Sequence, residues 1–486
     1  MNREVEKNME YGYNNFKDYW KFVKNKAEWI TKEYLKRYYN DKEHNGKSAK
    51  VRIGKEINEE EKYIIEKRNE TIREKLGEIL DKDIVNIPKI GICASGGGCR
   101  AMLGTLGFLM GLEDIGVLDT VQYISSLSGS TWCIAPWISK EYKLADLKQN
   151  IRKKLQSNIL SVNLDYGDLL KKYAHDQPIS MVDIYGLLLR NKLLEGDYRL
   201  SYQKNIVNKG RYPFPIYTSV IADNYSNSPN LYEWMEYTPI EIGSRYMNSF
   251  IPTWSFNSYF DYGYSLRIIQ EPPLSYLMGI WGSAFSASMN EILSHLSNNL
   301  PQNIFNNLQH NAKTYNVGDY RFYPALVNNF SYNFDSPFSN NKYLTLIDAG
   351  LDFNLPLPPL LERNLDIIII LDSSLNVHHS PELLKAHNYS IRKNLPFPSI
   401  DFTRAGHEII SVFHTPNAPT IIYLPRIFNP HYSISYDPDQ IITSGGYLNS
   451  FNFLYTPDQI DIFTGLTRFN AIQSQHYIYQ IINNYT

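Results

Sequence analysis

The chain has 486 residues, 43 % of them hydrophobic and 20 % charged, which suits one large α/β domain with insertions or two domains. Its 48 Lys and Arg against 50 Asp and Glu give a formal net charge of −2, so no global basic field draws it to nucleic acid or anionic membrane. Three cysteines, Cys93, Cys99 and Cys133, make neither a disulfide framework nor a metal-site spacing. No apolar run approaches the roughly 18 residues of a membrane span, and the first residues lack the apolar core of a signal peptide. A cytoplasmic protein is expected, with neither metal nor cofactor.

In chain order, residues 1–40 read as a helix, with Phe16, Tyr19, Trp20 and Val23 on one face. Seven basic and three acidic side chains lie between Phe16 and Arg37, so the helix either packs on the domain or lies on a membrane surface. Residues 1–54 are taken as a helical N-terminal extension and 55–486 as the main domain. A second helix is predicted over 57–80, with Ile64, Ile65, Ile72, Leu76 and Ile79 inward. Lys89–Ala94 reads as a buried strand, Gly96-Gly-Gly98 as a turn, and Arg100–Leu112 as an apolar helix. Val121–Leu127 is a second strand, broken by Ser128-Gly-Ser130, with a helix from Thr131. This alternation implies an α/β architecture with a parallel sheet. Residues 141–210 look helical. About 224–340 looks like an irregular insertion, and Leu344–Ile347 and Ile367–Ile370 return as strands.

Three segments carry chemistry. A serine hydroxyl is a poor nucleophile without a base, and a sharp strand-to-helix turn between small residues presents one at the carboxyl edge of a sheet. Ser128, flanked by Ser126, Gly129 and Ser130, fits that setting. Gly96-Gly97-Gly98 before a helix frees backbone N–H groups to converge on an anion. The same glycines loosely fit a dinucleotide fingerprint, but the next strand ends in Ser128-Gly-Ser130 rather than an acidic residue, and no Gly-Lys-Ser/Thr follows to make a phosphate loop. Asp348 ends an apolar strand, which places it at the same sheet edge as Ser128. With an ordinary pKa of ~3.9 it is a feeble base unless desolvated and bonded to the serine itself.

Ser95-Gly-Gly-Gly-Cys-Arg-Ala-Met102, Leu127-Ser-Gly-Ser-Thr-Trp132 and Asp348-Ala-Gly-Leu-Asp-Phe-Asn-Leu-Pro356 together resemble the group IV cytosolic phospholipase A2 family, relatives of patatins and fungal phospholipase B. Val182–Gly186, Pro213–Tyr217, Glu236–Gly243 and Met278–Ser286 extend the likeness over about residues 55–480. The resemblance implies a three-layer α/β/α patatin-like hydrolase core with an inserted cap at about 224–340. It implies a Ser–Asp dyad of Ser128 and Asp348, an oxyanion hole at Gly97 and Gly98, and phosphate-binding arginines at Arg100 and Arg363. The expected activity is a calcium-independent phospholipase A2 or lysophospholipase, met peripherally at a phospholipid membrane or micelle.

Departures from the family pattern are Ser126, where glycine is usual, and an N-terminal extension too short for a calcium-binding C2 domain. Ser126 is tolerable unless the backbone there needs a positive φ. Three rival readings remain. A Ser–Asp–His triad would use one of the seven histidines after Asp348: His378, His379, His387, His407, His414, His431 or His476. A transacylase would replace water by an alcohol. A binding-only protein would keep the fold without turnover.

Overall fold

The structure is a computed structural model and describes residues 44, 46–157, 167–222, 232–284, 324–450 and 452–486. Its centre follows from the most apolar runs of the sequence. Strand β1 is Arg52–Ile53, β2 Ile90–Ala94, β3 Tyr123–Ser126 and β4 Phe214–Ala222; β5 is Tyr232–Tyr237, β6 Glu241–Ser244 and β7 Ser249–Pro252. A small hairpin, β8 Tyr259–Asp261 and β9 Tyr264–Arg267, precedes β10 Ala325–Asn328 and β11 Tyr343–Asp348. Then come β12 Ile367–Asp372, β13 Ser411–Phe413 and β14 Thr420–Pro425. β12, Ile-Ile-Ile-Ile-Leu-Asp, lies between β2 and β14 and runs parallel to both. A strand buried on both faces loses the usual alternation and reads as one apolar block, and every residue of β12 is buried.

The main sheet has twelve strands among the described residues, in the order β1-β7-β6-β5-β4-β3-β2-β12-β14-β13, with β10 and β11 joined to it through β4. β4, β3, β2, β12 and β14 are mutually parallel, as the strand–turn–helix alternation implies. From β4 outward the pairing turns antiparallel, through β5, β6 and β7 to β1. The fold is therefore a mixed sheet flanked by helices, and the irregular insertion expected from residue 224 is corrected over 232–267, which forms strands. Their short length and buried Tyr, Ser and Glu hide the two-residue period. Just before the expected boundary at residue 54, Arg52 and Ile53 pair with Phe250 and Ser249 of β7. The basic helix expected over 1–40, and part of the expected cap (224–231 and 285–323), lie outside the described residues.

The helix Glu59–Leu80 matches its expected span. Asn58 caps it by accepting from the Glu60 N–H at 2.9 Å, and three glutamates fill the first turn, where the helix dipole favours negative charge. Ile64, Ile72 and Leu76 are buried along its inner face. Arg68 is buried there too, and donates to Val121 O at 2.6 Å and Gly210 O at 2.7 Å, so its charge is satisfied by carbonyls. No helix among the described residues is long and apolar enough to cross a membrane.

Candidate active site

Two strands meet head-on beside β4. β3 pairs with the first part of β4, ending at Ser126 opposite Tyr217. β5 takes the other side of β4, pairing from Tyr217 to Ala222. β11 must therefore occupy the side of β4 that β3 leaves free, and it does so antiparallel, with Asp348 opposite Ser219. Asp348 and Ser128 thus arrive at one level from opposite directions. The sequence expectation of a shared edge holds, while the direction of approach is the reverse of a parallel strand's.

The turn after β3 is sharply bent. Leu127 is extended (φ −141°, ψ 157°), Ser128 has φ 49°, and the helix Thr131–Ser139 follows. A left-handed serine costs about 1–2 kcal/mol, and such strain persists only where surrounding contacts hold it. Here Thr131 Oγ1 donates to Ser128 O at 2.6 Å, and Ser130 Oγ lies 2.8 Å from both Ala94 O and Leu127 O. The Thr218 hydroxyl donates to Ser126 O at 3.1 Å and closes the strand end. Ser126 itself is not among the residues with positive φ, so its side chain meets no backbone objection.

The glycine loop packs directly on this turn. Gly97 and Gly98 have φ of 131° and 63°, conformations that L side chains rarely adopt, and Gly98 opens the helix Gly98–Asp114. Their N–H groups donate to no described residue, as befits the orphan donors of a helix start. A Cβ on Gly129 would stand 1.9 Å from Gly98 O, and one on Gly96 would stand 2.9 Å from the Ser128 Cβ. Small residues here are what let the loop and the serine touch.

Asp348 is 1 % exposed. Its carboxylate accepts from the Gly350 N–H at 2.9 Å, from the Ser128 hydroxyl and from the Ala284 N–H. Those three bonds favour the ionised form, yet burial outweighs them and pushes the pKa up to about 7. A carboxylate poised near neutrality is a far better proton acceptor than an ordinary aspartate. Its backbone is fixed as well, because the Asp348 N–H donates to Ser283 Oγ at 2.9 Å. None of the seven later histidines is among the groups bonded to Asp348. His378, the candidate with the strongest carboxylate partner, pairs with Asp439 at 2.6 Å.

The two arginines part company. Arg100 is buried behind the glycine loop, its Nε donating to Ser373 O at 2.8 Å and its Nη1 to Leu448 O and Ser450 Oγ at 2.9 Å. Nη2 lies 2.7 Å from where a Gly97 Cβ would be. Burial, then the neighbouring Arg426, lower its pKa to about 9, which still leaves it cationic at pH 7. Arg363 is engaged elsewhere. It lies beside the ring of Tyr123, the first residue of β3, while Ser128 follows the last. Its guanidinium is held by Glu61 at 2.8 and 3.1 Å and by Glu236 at 2.8 Å. Burial lowers its pKa, and the two carboxylates more than reverse that, so the charge is already matched.

A family model described as the lysophospholipase catalytic domain matches residues 90–386, which span both Ser128 and Asp348. The chain belongs to the lysophospholipase catalytic domain family. Human cytosolic phospholipase A2 zeta is 26 % identical over 515 residues, covering 87 % of this chain and 60 % of that protein. Mouse cytosolic phospholipase A2 delta is 25 % identical over 529 residues, covering 90 % of this chain and 63 % of that protein. The chain thus spans about three-fifths of the length of these curated relatives. Human GIVD cytosolic phospholipase A2 has the same fold, with a TM-score of 0.76 at 23 % identity over 89 % of this chain and 68 % of that one. A second structure of that human protein, in complex with methyl γ-linolenyl fluorophosphonate, gives a TM-score of 0.69 at 24 % identity over 90 % of this chain and 66 % of that one.

Within this lysophospholipase domain, the residues that sequence reasoning missed are the supports. Ser283 and Ala284 hold the aspartate, and both lie in Met278–Ser286, a segment whose likeness to the family was legible but whose task was not. Among the described residues, no group of three or more His, Cys, Asp or Glu side chains is placed to hold a metal.

Proposed function

We propose that the protein is a phospholipase A2 or lysophospholipase that cleaves fatty-acyl esters of glycerophospholipids through a Ser128–Asp348 dyad. What supports this reading is the placement of a buried Asp348 carboxylate against the Ser128 hydroxyl, with burial pushing its pKa up to about 7. Asp348 takes the serine proton as Oγ attacks the ester carbonyl. The N–H groups of Gly97 and Gly98 receive the developing oxyanion, where one such donor is typically worth about 3–4 kcal/mol of barrier. Asp348 then returns the proton to the departing alcohol, leaving an acyl-serine. Water, deprotonated by the same carboxylate, releases the fatty acid and restores the serine.

Arg100 is proposed to bias the loop region toward the substrate phosphate through its Nη2 edge. Arg363 has no part in the reaction. The lipid is met at a membrane or micelle surface by a peripheral, cytoplasmic enzyme. Calcium is not required for the chemical step, so monomeric ester should turn over equally with calcium and with chelator. Ser128→Ala should abolish acyl-ester turnover in a protein that still folds. Retained turnover in that variant would sink the assignment.

A further inference from the structure

We propose that Asn354 is a positioning residue that clamps the oxyanion loop to the turn bearing Asp348. It does so from six residues beyond the aspartate. Its side-chain Nδ2 donates to Gly96 O at 2.8 Å, and the Gly96 N–H donates back to the Asn354 main-chain O at 3.2 Å. Both backbone groups of Gly96 are therefore taken by one residue. Gly96 immediately precedes Gly97 and Gly98, so this paired grip sets where their N–H groups point.

The other half of the clamp faces the base. Asn354 Oδ1 lies 2.4 Å from where a Gly96 Cβ would be and 3.0 Å from where a Gly350 Cβ would be. Gly350 is the residue whose N–H donates to the Asp348 carboxylate. Asn354 thus borders the partner of the base on one side and bonds the root of the oxyanion loop on the other.

The clamp is itself anchored. Nδ2 also donates to Ser374 Oγ at 2.8 Å, and the Asn354 N–H donates to Glu382 Oε2 at 2.6 Å. Ser374 is fixed by its N–H on Asp372 Oδ1 at 2.8 Å, at the end of β12. The orientation of the amide follows from chemistry. Gly96 O can only accept, so the nitrogen must face it, and neither an aspartate nor an alanine can replace that donor.

This inference rests on the hydrolase reading, since it assigns Asn354 the task of fixing the distance between base and oxyanion donors. Misplacing reacting groups by about 1 Å costs on the order of a hundredfold in rate. The clamp acts on donors that meet charge developed in the transition state, so the loss should fall on kcat and leave KM alone.

The experiment compares wild type, Asn354→Ala, Asn354→Asp, Ser374→Ala and Ser128→Ala on a monomeric acyl ester, with Tm measured for each. Asn354→Ala should lose about a hundredfold in kcat with KM within threefold and a Tm near that of wild type. Phosphonylation of Ser128 by an alkyl fluorophosphonate should slow in parallel, because that reaction also builds charge in the oxyanion hole. Asn354→Asp, of the same shape without the donor, should lose at least as much. Ser374→Ala, which frees one anchor, should lose several-fold. A kcat within threefold of wild type in Asn354→Ala, or a loss that tracks only the folded fraction, overturns the proposal. A raised KM at unchanged kcat overturns it too, by making Asn354 a substrate contact. Should Asn354→Ala fail to fold, wild-type kcat in folded Asn354→Asp and Ser374→Ala overturns it. Turnover surviving in Ser128→Ala instead brings down the hydrolase reading, a result that the Asn354 variants cannot mimic.

Discussion

The parallel strands β2, β3, β12 and β14 and the antiparallel group around β4 to β7, β10 and β11 hold opposite halves of the proposed site. The parallel half contributes the serine and the glycine loop, both at strand ends that open into helices. Those are places where backbone N–H groups are left over and negative charge is welcome. The antiparallel half contributes the aspartate, on a strand that enters from the far side and is desolvated by its neighbours. A nucleophile needs exposed donors around it, whereas a carboxylate base needs water taken away. Each half of the sheet supplies the environment that its own residue requires.

The largest effect that tests this division is expected from Asp348→Asn. Without its acceptor the serine should lose about ten-thousandfold in kcat, comparable to losing a member of a hydrolase triad. The same variant reports on stability. Asp348 holds its proton more tightly folded than unfolded, because its pKa rises from 3.8 to about 7. Wild type therefore loses stability as pH rises from about 4 to 7 through this group, by roughly 4 kcal/mol at most. Asp348→Asn should be the more stable protein at pH 8, with the gap closing toward pH 4 in urea titrations. Catalysis in wild type should run the other way, with kcat/KM falling as pH drops through about 7. An acid limb near 4 would mean that the two halves do not enclose the carboxylate as described.

Gly129→Ala strikes the seam between loop and serine. The new Cβ meets Gly98 O, C and N at 1.9, 2.7 and 2.8 Å, all backbone atoms that cannot swing aside. A loss of about a hundredfold or more in kcat is expected, with about 1–3 kcal/mol of destabilisation. Near-normal kinetics would show that the seam is looser than the contact implies. Arg363→Met should separate stability from activity. It leaves Glu61 and Glu236 buried without this partner, at a cost of about 3–5 kcal/mol, while kcat per folded molecule stays unchanged. A collapse of kcat at unchanged stability would restore Arg363 to the substrate. The smallest effect belongs to Ser126→Gly. Ser126 is extended and donates through no side-chain bond, so turnover should stay within threefold of wild type.

The parallel half was the more legible in sequence. Ile90–Ala94 and Ile367–Asp372 are apolar blocks bounded by glycine or serine turns, and such blocks have few other homes. The antiparallel half was read as irregular because β6 and β7 have four residues each and carry Glu, Gly, Ser and Pro. Ser128 and Asp348 were legible as strand-end residues, but the antiparallel entry of β11 depends on β4 outrunning β3, which no local pattern encodes. Arg363 misled for a related reason. Its partners Glu61 and Glu236 stand 302 and 127 residues away in sequence, and only the fold brings them to it. Asn354 was visible within its motif, yet its importance lies in what Gly96 does with it, again across 258 residues.

The meeting of β3 and β11 along β4 also dictates when the protein can first act. Chains emerge and fold from the N-terminus, so residues 90–222 are made well before residue 348. During that interval the serine and the glycines exist without the proposed base, and without Asn354, which holds Gly96. The 219 residues between Ser128 and Asp348 must all be synthesised, and the two ends brought back to one strand, before the proposed ester attack. A truncated chain ending before residue 348 should therefore show no acyl-ester turnover, because it lacks the residue proposed as the base.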